Sequence, residues 1–105
     1  MNMPGASDWV LHFLDARGRI GALRADVEAA VNEVRAALGL EAPSADIVIK
    51  AADWPMHPEL AVLGASQGPG RIDLRLDTGQ IVQGSAELNA RLLRILFHEA
   101  HHLLR

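Results

Sequence analysis

The chain has 105 residues, of which half are apolar and 22% are charged, and this is enough for one small globular domain with a single core. Its net charge of −3 and the scatter of its basic residues argue against a nucleic-acid partner, and the lack of cysteine excludes disulfides and thiolate metal sites. No apolar stretch is long enough to span a membrane, and the first residues lack the pattern of a signal peptide. A cytoplasmic protein without membrane contact is therefore the default expectation.

The first half of the chain predicts a strand, a helix and a second strand. Residues 8–15 are rich in aromatic and branched side chains that favour a strand. Residues 23–38 place apolar side chains at helical spacing, and Gly39 is well placed to end that helix. Residues 45–51 are β-branched and predict the second strand.

The second half predicts a hairpin followed by a long helix. Strands over 60–66 and 71–76 are joined by the tight turn Gly68-Pro69-Gly70. Ser85 is the expected N-cap of a helix that continues to the end of the chain. Because this helix is apolar on nearly every side, we expect it to be buried between two layers. The order β-α-β-β-β-α predicts a single α+β domain over residues 1–105 with a small mixed sheet.

The last helix contains the pattern H-E-x-x-H, formed by His98, Glu99 and His102. On a helix, positions i and i+4 lie on one face, so the two imidazoles can converge on a single zinc ion. The glutamate beside the first histidine can then reach a metal-bound water. We therefore predict His98 and His102 as zinc ligands and Glu99 as the catalytic general base. A catalytic zinc usually takes a third protein ligand, and the sequence after His102 supplies none before Arg105.

Other histidines leave the identity of the third ligand open. His101 lies three positions after His98 and could share its face, although only the pair with His102 leaves Glu99 in the standard relation. His57 lies in a loop between two prolines, where sites are often found, and His12 lies within the first predicted strand. Each of these residues is more often structural than a ligand.

Residues 98–105 read His-Glu-Ala-His-His-Leu-Leu-Arg. This segment resembles the H-E-x-H-H-x-x-R helix of an uncharacterised bacterial family of predicted zinc-dependent proteases. The likeness extends upstream to residues 9–19, to Pro58-Glu59-Leu60 with Gly64, and to the strand over 71–76. The resemblance therefore covers nearly all of the chain.

The resemblance implies a gluzincin-like, or more broadly zincin-like, fold. In that fold a mixed sheet packs on a backing helix and on the active-site helix, and a glutamate on a later helix is the third zinc ligand. This chain lacks the later helix, so we expect it to be the N-terminal part of the domain, truncated after the active-site helix. The expected function is that of a zinc metallopeptidase domain, incomplete in this chain and inactive on its own. The alternative is a non-catalytic metal-binding or interaction module with the same fold. A third hypothesis is a domain without a metal site, in which the motif occurs by chance.

The expected partner is a peptide or protein substrate, and the oligomeric state is left open. In peptidases of the type that the resemblance implies, the substrate lies extended along an edge strand. The predicted strand over 60–66 is our candidate for that role, with Leu63 and Gly64 as substrate-binding residues. A glycine at position 64 would allow a peptide backbone to approach closely.

Overall fold

The structure is a computed structural model that describes residues 8–14, 18–52, 54–66 and 68–104. Within these ranges its strands and helices follow in the predicted order, and the expected α+β class is confirmed. The elements are β1 (Trp9–Leu14), α1 (Arg24–Leu38), β2 (Ala45–Ala51), β3 (Val62–Ser66), β4 (Arg71–Leu76) and α2 (Ala86–Leu103). No helix in the described ranges is long and apolar enough to cross a membrane.

The four strands form one mixed sheet in the order β1-β2-β4-β3. Strands β1, β2 and β4 are parallel, and β3 runs antiparallel to β4 at the edge of the sheet. Strands β3 and β4 form the predicted hairpin, whose turn contains Gly68 with φ of 82° and Gly70 with φ of 71°. These backbone conformations favour glycine because it has no Cβ, so the glycines help to set the turn.

Both helices pack on one face of the sheet, and the core lies between them and that face. Alternate side chains of each strand point toward the helices, because successive residues of a strand face opposite sides. The buried core includes Trp9, Ile47, Ile49, Ile72, Leu74 and Leu76 from the sheet, and Val27, Val31, Val34, Leu88, Leu92 and Leu96 from the helices. The opposite face carries mostly exposed or half-buried side chains, among them Val10, Asp46, Lys50, Arg71 and Asp73.

The expectation that the last helix is buried between two layers is wrong. Helix α2 buries one side against β3 and α1, while Arg94, His98, His101 and His102 are exposed. The described residues build two layers, so no element covers the outer side of α2 in these ranges. The apolar Leu93 and Phe97, which suggested burial all round, are only half-buried.

Four predicted element bounds can be compared with the structure. Gly39 caps α1 with φ of 60°, and the Ser85 hydroxyl accepts a hydrogen bond from the amide of Leu88 at 3.1 Å, as the sequence predicts. Strand β3 begins at Val62 and not at Leu60, since residues 58–60 form a 3₁₀ turn that starts at a proline. The first strand begins at Trp9 and not at Asp8, and its predicted end at Asp15 lies outside the described residues.

Candidate metal and catalytic site

His98 and His102 lie one turn apart on the exposed side of α2 and their rings face each other. The two Nε2 atoms are 3.1 Å apart, and the ring centroids are 4.7 Å apart in an edge-to-face arrangement. A tetrahedral zinc with Zn–N bonds of about 2.0–2.1 Å holds two nitrogens about 3.3 Å apart. This separation therefore suits two ligands of one zinc ion, and it is also that of a hydrogen bond between the two rings.

Glu99 occupies the position between this histidine pair and the edge of the sheet. Its side chain is buried, with 6% of its surface exposed, and its Oε1 accepts a hydrogen bond from the Ser66 hydroxyl at 2.7 Å. Burial of a carboxylate is costly without such a partner. Ser66 thus fixes one oxygen of Glu99 from the neighbouring strand. Sequence analysis missed Ser66, which carries no local signal and reaches Glu99 across 33 positions of the chain.

A third metal ligand is not in place in the part of the chain that the structure describes. There, no group of three or more His, Asp or Glu side chains is arranged to hold an ion. His101 is exposed on α2, while His57 accepts a hydrogen bond from the amide of Glu59 through Nδ1 at 3.2 Å. His12 contacts Asp46 at 3.1 Å on the sheet face opposite the helices. The fit to zinc is therefore limited to two ligands among these residues.

A cleft runs between β3 and α2 and ends at His98 and Glu99. Helix α2 lies alongside β3 in the same direction, as the contacts of Arg91 with Pro58 and of Glu99 with Ser66 establish. The cleft has a volume of about 350 Å³. It is lined by Glu59, Leu60, Val62, Leu63, Gly64, Arg94, Ile95, His98 and Glu99. Its floor is thus mostly apolar, and the glutamate and one histidine of the motif form one end.

Comparison of the chain with protein-family models, with curated proteins and with solved structures gives no match. The resemblance to zinc-dependent proteases therefore stays a prediction, which rests on residues 98–105 and on the upstream segments. The chemical argument for a site depends on the arrangement of His98, Glu99 and His102.

Leu63 and Gly64 both line the cleft, but the structure gives Gly64 a packing role that the sequence did not suggest. A Cβ atom at position 64 would lie 2.3 Å from Cγ2 of Ile95 and 3.4 Å from Cγ of Glu99. The glycine therefore allows α2, and with it Glu99, to lie close to the edge strand. Leu63 points to the other face of the sheet and is 43% exposed at the rim. Contact of either residue with a substrate stays a prediction.

Alanine at position 64 is expected to destabilise the fold by about 1–3 kcal/mol, because the new methyl group overlaps a β-branched side chain that has little freedom to move. Chemical denaturation measures this change in the free energy of unfolding. Gly21→Ala is the matched control, since a Cβ there meets nothing within 4 Å. Adding Ile95→Ala should recover part of the loss, and two strictly additive losses would contradict the proposed overlap.

Proposed function

We propose that this chain carries the zinc-binding and proton-transfer part of a metallopeptidase site on a zincin-like fold. One observation supports this more than any other: two imidazole nitrogens lie 3.1 Å apart on the helix that carries a buried carboxylate, and this carboxylate and His98 line the end of a cleft along an edge strand. In the proposed fold, α1 is the backing helix, α2 is the active-site helix and β3 is the edge strand. A peptide or protein is the substrate, and the cytoplasm is its proposed location.

His98 and His102 would hold the metal through their Nε2 atoms. Zinc, when bound, supplies a water whose pKa is lowered and polarises the carbonyl of the peptide. The third ligand would come from outside the described residues, and the family resemblance suggests a glutamate on a later helix. His101, on the other side of the helix turn, takes no part in this proposal.

Glu99 would act as the general base. Its carboxylate accepts the proton of the attacking water and returns it to the nitrogen of the leaving amine. The Ser66 hydroxyl occupies Oε1, so Oε2 is the oxygen left for proton transfer. Because Ser66 belongs to the edge strand, the same strand that would bind the substrate also orients the base.

The substrate would lie extended along the open side of β3. This strand pairs with β4 on one side, and its other side borders the cleft. An extended peptide can add to such an edge through main-chain hydrogen bonds. The exposed side chains of Leu60 and Leu63 would then contact apolar groups of the peptide.

A non-catalytic metal-binding or interaction module is the second candidate. One observation favours it: the bond from Ser66 by itself accounts for a buried glutamate. In this case His98 and His102 would serve a structural ion, and Glu99 would link α2 to β3.

Zinc binding by the chain is expected to be measurable but weak, because two histidines without a third ligand make an incomplete site. Replacing His98 or His102 by alanine should weaken binding by at least about tenfold, as either loss leaves a single ligand. Isothermal calorimetry with zinc measures both effects, and His101→Ala, an exposed histidine of the same helix, is the matched control.

Other results of the calorimetry would change the assignment of the zinc ligands. Tight 1:1 binding would place a third ligand within this chain, and His57 and His101 would be the first to test. No binding, or an equal loss in the His101→Ala control, would contradict the assignment of His98 and His102.

A further inference from the structure

Among the described residues, no strand pairs with the main-chain groups on the outer edge of β1. Strand β1 lies at the end of the sheet, and within the described ranges only β2 pairs with it. The carbonyl of Asp8 accepts a hydrogen bond from the amide of Ala45 in β2 at 3.0 Å. Because main-chain groups alternate in direction along a strand, those of Trp9, Leu11 and Phe13 point away from β2. This edge can therefore accept a further strand.

The side chains of β1 do not protect this edge. The strand reads Trp-Val-Leu-His-Phe-Leu and contains no lysine, proline or acidic residue, the features that usually keep an edge strand from pairing. Two of its apolar side chains are exposed on the sheet face opposite the helices: Val10 at 43% and Leu14 at 55%. They lie two residues before and two residues after His12, and this symmetric spacing suggests a particular partner.

We propose that β1 is a homodimer interface, in which a second copy of this chain adds its own β1 in the antiparallel direction with the two-fold axis at His12. In this register Val10 lies opposite Leu14 of the second copy, so both exposed apolar residues become paired. Leu11 and Phe13 form the hydrogen-bonded pairs, since their main-chain groups point outward. A register centred on Leu11 would instead place Leu14 opposite the charged Asp8, and Val10 opposite His12.

The dimer would form one continuous sheet of eight strands. A two-fold axis perpendicular to the sheet keeps the helices of both copies on the same side. Strand β3 lies at the other edge of the sheet, so the cleft beside His98 and Glu99 stays open in both copies. This inference is independent of the proposed metallopeptidase function.

Single cysteines test the register, because the chain has no cysteine of its own. In the proposed dimer the two Cα atoms of residue 12 face each other at about 4.5 Å, a separation that a disulfide spans. The two Cα atoms of residue 10 are about 13 Å apart, which a disulfide does not span. With EDTA present to exclude zinc-bridged species, His12→Cys should form disulfide-linked dimers at least roughly tenfold faster than Val10→Cys. Equal rates for the two variants would overturn the proposal.

Charge substitutions test the same pairing without a covalent link. Val10→Lys with Leu14→Lys places like charges opposite each other at both cross-strand pairs, so the dimer should be lost in sedimentation equilibrium. Val10→Lys with Leu14→Glu places opposite charges there and should keep the association. Leu40→Lys with Val82→Lys is the matched control, because it changes two exposed apolar residues outside β1. Loss of association in this control, or its persistence in the double-lysine variant, would contradict the interface.

Discussion

Replacing Glu99 by glutamine is expected to lower peptide hydrolysis by about 10²–10⁴-fold in a form of the protein that has its third zinc ligand, while zinc binding persists. Glutamine keeps the size of the side chain and can still accept a hydrogen bond from Ser66. It cannot take a proton from water at neutral pH, so the proton-transfer step alone is lost. The 105-residue chain should itself have negligible peptidase activity, since the described residues would supply only two zinc ligands.

Three proteins measured side by side test this division of roles: the 105-residue chain, a form that continues past Arg105, and that longer form with Glu99→Gln. Hydrolysis of an unstructured protein substrate and zinc content are measured for each. Glu87→Gln is the matched control, because Glu87 is an exposed glutamate on the same helix. Vigorous cleavage by the short chain would show that its zinc site is already complete, and full activity of the longer Glu99→Gln form would show that Glu99 does not act as proposed.

The same measurements separate the two candidate functions. A longer form that binds zinc tightly and cleaves no peptide would favour the non-catalytic module. In that case Glu99→Gln should change the free energy of unfolding and nothing else, through its bond with Ser66. A peptidase instead requires that the substitution change turnover at unchanged zinc content.

The sequence predicts those parts of the fold that local patterns determine. The sequence predicts the bounds of β2 and β4 to the residue, because both strands have clear runs of alternating or β-branched side chains. The start of β3 was placed two residues too early, since Leu60 continues the apolar run but belongs to a turn set by Pro58. The partial exposure of α2 could not be predicted, because the pattern of apolar residues in a helix does not determine how many other elements pack against it.

In the candidate site, too, the sequence predicts the residues of a local pattern and misses those that depend on contacts between distant segments. His98, Glu99 and His102 could be found because their relation depends only on helical geometry. The role of Ser66 depends on the β3–β4 hairpin and on the position of α2 against it, which no short pattern encodes. The packing role of Gly64 depends on the same contact between distant segments. The third ligand of the proposed zinc site would be equally non-local, so the spacing of the motif cannot indicate it.

Asp77 is a further residue whose importance the sequence did not reveal. It follows β4 directly and is buried, with 8% of its surface exposed. Its carboxylate accepts hydrogen bonds from the amide of Met56 at 2.8 Å, from the amide of Gly79 at 3.1 Å and from the side chain of Gln80. The bond to Met56 links the end of β4 to the loop that leads into β3, and hence to one wall of the cleft. The Asp-x-Gly pattern was a usable signal, because aspartate often accepts a bond from an amide two residues later.

These bonds hold the pKa of Asp77 below its ordinary value. The amide of Met56 is the largest cause, followed by the side chain of Gln80, whereas burial acts in the opposite direction. The amide of Gly79 and the positive charge of Arg19 lower the pKa further. The ionised carboxylate is thus favoured in the folded state over the unfolded state, and Asp77 makes the free energy of unfolding depend on pH.

Asp77→Ala is expected to destabilise the fold by about 1–3 kcal/mol at neutral pH, because the half-buried amide of Met56 and the amide of Gly79 lose a charged acceptor. Since the pKa of Asp77 is lower in the folded state, its contribution is complete above about pH 5 and is lost as the pH falls through about 4 toward the folded value. Asp77→Asn keeps the shape of the side chain but cannot titrate. The difference in unfolding free energy between wild type and Asp77→Asn, measured by denaturation from pH 7 to pH 3, should therefore shrink toward acid pH. A difference that stays constant or grows over this range would show that the ionised carboxylate does not stabilise this corner of the fold.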